Sequence, residues 1–125
     1  MSPSDCIFCK LESTKIRDHI EQAVTILDGF PVSPGHTLVI PRRHMETYFD
    51  ATPEERAVLW DLVEVTRERL DREYRPDGYN IGINVGRAAG QTVMHLHIHV
   101  IPRYTDDMPD PRGGVRHVIP EKGKY

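Results

Sequence analysis

Three histidines at two-residue spacing occupy an otherwise apolar run, MHLHIHVIPR, at residues 94–103. Alternate side chains of a strand point to opposite faces, so we expect His95, His97 and His99 to share one face. The aliphatic side chains between them would then face a core. Imidazoles packed in a core each need partners for two ring nitrogens, so the histidine face is predicted to line a polar cleft.

Two kinds of chemistry suit this row of imidazoles. The rings can coordinate one metal ion, or one ring can attack an electrophile while its neighbours position it and transfer protons. The strand itself holds no carboxylate, which a catalytic metal commonly recruits. The preceding segment, NVGRAAGQT, favours attack on a phosphate, because its glycine amides, Asn84, Gln91 and Thr92 are neutral hydrogen-bond donors.

The only two cysteines, Cys6 and Cys9, are separated by two residues. This spacing indicates metal or redox chemistry rather than a structural disulfide in a cytoplasmic chain. A cytoplasmic location is predicted because the first residues lack the basic and apolar regions of a signal peptide. No apolar run is long enough for a membrane span, and a net charge of −3 with mixed signs predicts no nucleic-acid partner.

The elements that must position these residues follow from the remaining sequence. AVTILD (23–28) and HTLVIP (36–41) are predicted strands, and YNIGINVG (79–86) and TVMHLHIHVIP (92–102) are two more. Between the two pairs, residues 50–70 predict one long helix. The expected architecture is an α+β domain at residues 1–104, with the helix across an antiparallel sheet and an irregular tail at 105–125.

The helix has a clear start signal and one apolar face. Thr52 suits the N-cap, Pro53 the first helical position, and Glu55 completes a capping box. The charges in TRERLDREYR are predicted to form the solvated face. The apolar stripe expected to pack on the sheet consists of Val58, Leu59, Leu62, Val63 and Leu70.

The sequence resembles the histidine triad (HIT) family of nucleotide hydrolases and transferases. HLHIHVI fits the family motif His-x-His-x-His-x-x, in which x is hydrophobic. CIFCK, PVSPGHTLVIPRRH, the capped helix and AGQTVMHLHIHVIPR also resemble that family, in the same order, over residues 6–103. The resemblance implies a HIT-like sheet and a two-fold homodimer that joins two sheets into one of ten strands.

The resemblance also implies roles for individual residues. His97 would attack the α-phosphorus of a nucleotide and form a covalent nucleotidyl-histidine, and His99 would donate to the phosphate. His36 corresponds to a fourth histidine beside the triad, and Asp28 to the residue that binds the ribose hydroxyls. The residues implied near the phosphate and the leaving group are Asn84, Gln91 and Thr92.

Relatives with the N-terminal cysteine pair bind zinc, which implies a structural site in this chain. Its ligands would be Cys6, Cys9, His44 and His95, a closed set that leaves no coordination position for water. The metal would then take no part in the chemistry. The alternative is a pair of partly buried free thiols, with His95 as an ordinary hydrogen-bonding residue.

The leading functional prediction is a hydrolase of dinucleoside polyphosphates that acts at the α-phosphate. The alternatives are a purine nucleoside phosphoramidase, a nucleotide sensor with incidental turnover, and a metallohydrolase with the triad as ligands. Ile7, Phe8 and Ile26 are candidates for an apolar base pocket. Four arginines could neutralise a polyphosphate, although surface charges explain them better: Arg87, Arg103, Arg112 and Arg116.

Overall fold

The computed structural model describes residues 5–125 and contains one helix on a five-stranded antiparallel sheet. The strands are β1 (Ile16–His19), β2 (Ala23–Leu27), β3 (Thr37–Pro41), β4 (Gly78–Gly82) and β5 (Ile98–Arg103), and the helix is α1 (Pro53–Glu73). Their order in the sheet is β1-β2-β3-β5-β4. The predicted α+β architecture is confirmed. Within the described residues, no helix combines the length and apolarity required to span a membrane.

The start of α1 is fixed by the predicted capping box. The Thr52 hydroxyl accepts a hydrogen bond from the Glu55 amide at 3.1 Å, and the Glu55 carboxylate accepts one from the Thr52 amide at 2.9 Å. The same carboxylate pairs with Arg43 at 2.8 Å. The bond with Arg43 contributes most, and together these bonds lower the pKa of Glu55 to about 2. Two donors of the first turn are thereby satisfied at neutral pH.

The sheet is covered on both faces, so β2 and β3 are buried almost throughout. Toward α1, the buried side chains include Leu59, Leu62, Val63 and Leu70, as the apolar stripe predicts, with Val58 partly buried beside them. On the other face a second cluster covers the sheet with the N-terminal segment; it consists of Cys6, Phe8, Val24, Ile26, Leu38 and Ile40. The segment that carries the two cysteines is therefore part of the core.

Strand β1 and its link to α1 were not predicted. Asp18 in β1 pairs with Arg69 of the helix at 2.8 Å, and the Thr25 hydroxyl donates to the same carboxylate at 3.1 Å. Arg69 is only 8% exposed, so the prediction that the charges of residues 66–75 form a solvated face is wrong at this position. The helix turns Arg69 toward the sheet because the edge strand supplies a carboxylate there.

The strand that carries the triad is shorter than predicted. Its ladder begins at Ile98 rather than near residue 92, and β4 ends at Gly82 instead of residue 86. Before the ladder, the Leu96 amide donates to the carbonyl of Met45 at 2.8 Å. From Leu96 to Val100 the alternation of burial nevertheless persists, because Leu96 and Ile98 are buried while His97 is half-buried. The prediction that all three histidines line a cleft is wrong for His95, which is fully buried beside Cys6. Beyond residue 104 the chain forms turns and two short 3-10 helices, and the division at this point stays a prediction.

Candidate functional site

A cleft of about 920 Å³ lies on the face of the sheet opposite α1. Five of the predicted site residues line it: Asp28, Asn84, Thr92, His97 and His99. The three candidates for a base pocket, Ile7, Phe8 and Ile26, line it as well. Its volume is within the range of small-molecule sites, and its walls are largely apolar with a few convergent polar groups.

His97 presents one specific ring nitrogen to this cleft. Its Nδ1 lies 2.8 Å from the carbonyl oxygen of His95. A carbonyl only accepts, so Nδ1 carries the proton and Nε2 keeps its lone pair. Phe8 contacts the ring edge-on, with the two ring centres 5.2 Å apart. The side chain is therefore held with an unprotonated nitrogen free to act as a nucleophile or an acceptor.

His99 is held in the opposite tautomer through His36. The Val32 amide donates to His36 Nδ1 at 3.0 Å, so the neutral His36 ring carries its proton on Nε2. That nitrogen lies 3.0 Å from His99 Nδ1 and 3.4 Å from an oxygen of Asp28. His99 Nδ1 accepts, and its proton is on Nε2. The cleft therefore receives an N–H donor from His99 beside the lone pair of His97.

Burial keeps His99 and His36 neutral. Desolvation, followed by repulsion from His97 and His36, lowers the pKa of His99 to about 4, with Asp28 opposing the shift. Desolvation also lowers the pKa of His36, again against the attraction of Asp28. Near neutral pH these rings are hydrogen-bonding groups rather than cations. The carboxylate of Asp28 accepts a hydrogen bond from the Phe30 amide at 2.9 Å, and Asp28 also lines the cleft.

Gln91 is not brought into the cleft. It is 4% exposed, its amide group donates to the carbonyls of Glu46 and Val93, and its oxygen accepts from the Gly86 amide. The amide of Gly90 is likewise used within the loop, by the carbonyl of Arg87. The glycine amides expected to bind phosphate are thus partly committed to the loop itself. What the loop offers to the cleft is chiefly the side chains of Asn84 and Thr92.

The predicted metal ligands Cys6, Cys9, His44 and His95 form one cluster, with their ligand atoms within 4.8 Å of one another. His95 Nδ1 lies 3.3 Å from Cys6 Sγ, 3.5 Å from Cys9 Sγ and 3.2 Å from His44 Nδ1. A tetrahedral zinc with ordinary Zn–S and Zn–N bonds needs ligand separations of about 3.3 to 3.8 Å. The donor set and its spacing therefore fit zinc.

Further contacts prepare His95 as a ligand. Its Nε2–H donates to the carbonyl of Pro41 at 2.8 Å, which leaves the Nδ1 lone pair facing the two sulfurs. Burial is the main reason that the pKa of His95 is lowered, so the neutral ring persists. Burial and the neighbouring Cys6 raise the pKa of the Cys9 thiol, and metal binding would have to displace its proton.

Asp28, His36 and His99 form a second cluster of possible metal ligands. A metal there would need the lone pair of His36 Nε2, which moves the ring proton to Nδ1. That proton would then face the Val32 amide, 3.0 Å away. The hydrogen bonds of this cluster therefore disfavour the alternative of a catalytic metal bound by the triad.

The positive side chains of the cleft differ from those considered in the sequence. Lys10, Lys15 and Arg17 line it, together with Glu12 and Thr14. The four arginines considered earlier do not line it, and three of them are held elsewhere: Arg103 by Asp107, Arg112 by Asp110, and Arg116 by the carbonyl of Gly123. No motif marks the segment 10–17; it reaches the cleft because it leads into the unpredicted strand β1, which contains Arg17.

Comparison with known proteins agrees with this geometry. The HIT domain model matches residues 12–106. An uncharacterized HIT-like protein of Saccharolobus solfataricus is 35% identical over 109 residues, which are 84% of this chain and 78% of that protein. The adenylylsulfatase HINT3 of Arabidopsis thaliana is 35% identical over 108 residues, 83% of this chain and 55% of that protein.

Another relative is the asymmetrical bis(5'-nucleosyl)-tetraphosphatase of Schizosaccharomyces pombe, 40% identical over 80 residues, which are 64% of this chain and 44% of that protein. Among solved structures, a Zn-bound histidine triad family protein from Mycobacterium smegmatis superposes with a TM-score of 0.77 and is 35% identical. The alignment covers 87% of this chain and 82% of that one. By sequence, fold and motif, this chain belongs to the HIT family.

Proposed function

We propose that this protein is a nucleotidyl hydrolase that cleaves nucleoside polyphosphates at the α-phosphate through a covalent nucleotidyl-His97 intermediate. The observation that carries the proposal is the hydrogen bond from His97 Nδ1–H to the carbonyl of His95 at 2.8 Å. It leaves the Nε2 lone pair available on a residue that lines a cleft of a size suited to a nucleotide. A neutral imidazole in this state is a good nucleophile near neutral pH.

In the first step, Nε2 bonds to the α-phosphorus and the bond to the leaving oxygen breaks. The His97 ring becomes positively charged because Nδ1 retains its proton, and the His95 carbonyl stabilises that charge. Water then attacks the phosphorus, the P–N bond breaks, and its electron pair returns to Nε2. The water loses a proton to solvent or to the departing group, so the enzyme ends in its starting state.

The neighbouring residues receive roles that match their contacts. His99 donates Nε2–H to a phosphate oxygen, and His36 acts as a positioning residue that maintains this tautomer. Asp28 accepts from the ribose hydroxyls, and Asn84 and Thr92 bind the phosphate side. Contact of Gln91 with substrate remains a prediction, because its polar atoms are already paired with the backbone.

Two relatives with named activities bear on the choice of substrate. The relative whose name specifies a dinucleoside tetraphosphatase supports the polyphosphate substrates proposed here. The relative named as an adenylylsulfatase indicates that other leaving groups occur in the family, which keeps the nucleoside phosphoramidase alternative open. A nucleotide sensor would bind the same ligands with very slow turnover.

We further propose that zinc occupies the cluster of Cys6, Cys9, His44 and His95 in a structural role. When bound, it would supply a cross-link between the N-terminal segment and the residues around the triad. The ligand spacing and the Zn-bound relative support this assignment. We also propose a cytoplasmic homodimer with a joined ten-stranded sheet, in which β4, one of the two edge strands, would pair with its copy.

Replacement of His97 tests the reaction. In His97→Ala, turnover of diadenosine tetraphosphate should be abolished while nucleotide binding stays within about tenfold, since the change removes the attacking atom and little contact area. His117→Ala, in the tail and outside the cleft, is the matched control. Rapid quenching without acid, followed by mass analysis, should find the nucleotide on His97. Wild-type rates in His97→Ala would refute the proposal.

A further inference from the structure

The end of the cleft formed by residues 10–17 carries charges that the proposed reaction does not use. Lys10, Lys15 and Arg17 are exposed and line the cleft. Within residues 5–125, none of their side chains takes part in an ion pair or hydrogen bond. In contrast, Arg43 and Arg103 are each held by a carboxylate. These three cations, which we call the cationic margin, are thus available to a ligand.

The sheet register gives the distance between the margin and the reacting histidines. Ile16, which lies between two of the cations, pairs with Ile26, Ile26 with Leu38, and Leu38 with His99. Three strand spacings therefore separate Ile16 from His99, or about 14 Å. The floor between them is apolar. A ligand whose phosphate reaches His99 is thus close enough to the margin to be affected by its charge.

The balance of charge in the cleft differs from that of the chain. The margin supplies three cations, and the carboxylates that line the same cleft are Glu12 and Asp28. The charged side chains that line the cleft therefore have a net positive charge, whereas the whole chain has a net charge of −3. A positive cleft with low-dielectric walls concentrates anions and speeds their association, and the attraction grows with each negative charge on the ligand.

We infer that Lys10, Lys15 and Arg17 form an anion-attracting margin that selects nucleotides by their number of negative charges. This inference rests on the proposed function and names its substrate class. Dinucleoside polyphosphates, which carry a negative charge on each phosphate, are favoured over singly charged nucleoside phosphoramidates. The margin acts on capture of the substrate and not on the chemical step.

The test replaces all three cations together in Lys10→Gln/Lys15→Gln/Arg17→Gln. The matched control, Arg72→Gln/Arg75→Gln/Lys122→Gln, makes the same change of net charge with exposed cations outside the cleft. At low ionic strength, kcat/KM for diadenosine tetraphosphate should fall about tenfold or more in the first variant, with kcat unchanged. The loss for an adenosine phosphoramidate should stay below about twofold, and salt should remove the difference.

An equal loss for both substrates, no loss at low ionic strength, or the same loss in the control would overturn the inference. Calorimetric binding of adenosine tetraphosphate and of AMP provides a measurement that needs no turnover. If nothing is hydrolysed but the margin variant selectively loses the tetraphosphate, the hydrolase proposal fails and the margin stands. If both substrates are hydrolysed without charge dependence, only the margin fails.

Discussion

Lowering the pH from 7 to 5 should destabilise the fold through His99. In the folded protein its pKa is about 4, chiefly because of burial and then because of repulsion from His97 and His36. In an unfolded chain the pKa of histidine is about 6.5. Below that value the unfolded state binds a proton that the folded state excludes. The stability is therefore full above about pH 6.5 and is lost as the pH falls toward 4.

The expected size of the effect follows from the two pKa values. At pH 5 almost every unfolded chain is protonated at this position, while few folded chains are. The linkage relation then gives a loss of about 2 kcal/mol of unfolding free energy between pH 7 and pH 5. His36 and His95, whose pKa values burial also lowers, add to the loss. Asp28 faces His99 and His36 and acts in the opposite direction.

Urea unfolding at the two pH values measures this loss, and His99→Asn is the matched variant. The Asn oxygen takes the place of the Nδ1 that accepts from His36, and the side chain does not titrate. Wild type should lose about 2 kcal/mol more than the variant between pH 7 and pH 5. The contributions of the cysteine–histidine cluster are common to both proteins and cancel. Equal losses in the two proteins would refute the neutral, buried state assigned to His99.

Three further predictions concern the support of the site. Removal of metal by a chelator should lower the Tm by several degrees in wild type but not in Cys6→Ala, whose cluster is already incomplete; equal responses in calorimetry would exclude a structural metal at this cluster. Asp18→Asn removes the closer carboxylate partner of the buried Arg69 and leaves only Glu73, at 3.3 Å. It should lower the free energy of unfolding in urea by about 2 to 3 kcal/mol, most of which Asp18→Asn/Arg69→Met should restore; a loss near zero would show that the pair is dispensable. Gly35→Ala should lower the free energy of unfolding by about 1 to 3 kcal/mol, because φ is +89° and a Cβ would lie 3.1 Å from a ring carbon of Tyr74. Gly78→Ala, where a Cβ meets nothing within 4 Å, should lower it less. Equal losses in the two variants would contradict this strain.

Local signals in the sequence were sufficient for much of the fold. Thr52 and Glu55 specify the start of α1 through bonds between neighbouring residues, and the apolar stripe specifies its buried face. The alternation of Leu96, Ile98 and Val100 with His97 and His99 also survives in the structure, although the ladder covers only part of that run and His95 is buried. Such features depend on residues close together in the chain, and a pattern can therefore reveal them.

Features that depend on distant partners were not predictable in this way. Strand β1 lacks a clean alternation, since its outward side is charged and its inward Asp18 is paired with a helix residue 51 positions away. In the sequence Arg69 is one charge among many on the helix, whereas in the structure it is buried and paired with Asp18 and with Glu73. The cationic margin depends on the fold in the same way: its residues line the same cleft as His97 and His99 only once β1 and the segment before it have been placed at the edge of the sheet.

Local spacing in the sequence and contacts with distant residues determine different properties of the triad. Two-residue spacing directs His97 and His99 to the same cleft, but it does not determine which nitrogen of each ring carries the proton. The His95 carbonyl places the proton of His97 on Nδ1, and the Val32 amide, acting through His36, places that of His99 on Nε2. Two chemically identical side chains thus present a lone pair and a donor, the two different groups that attack on a phosphate requires.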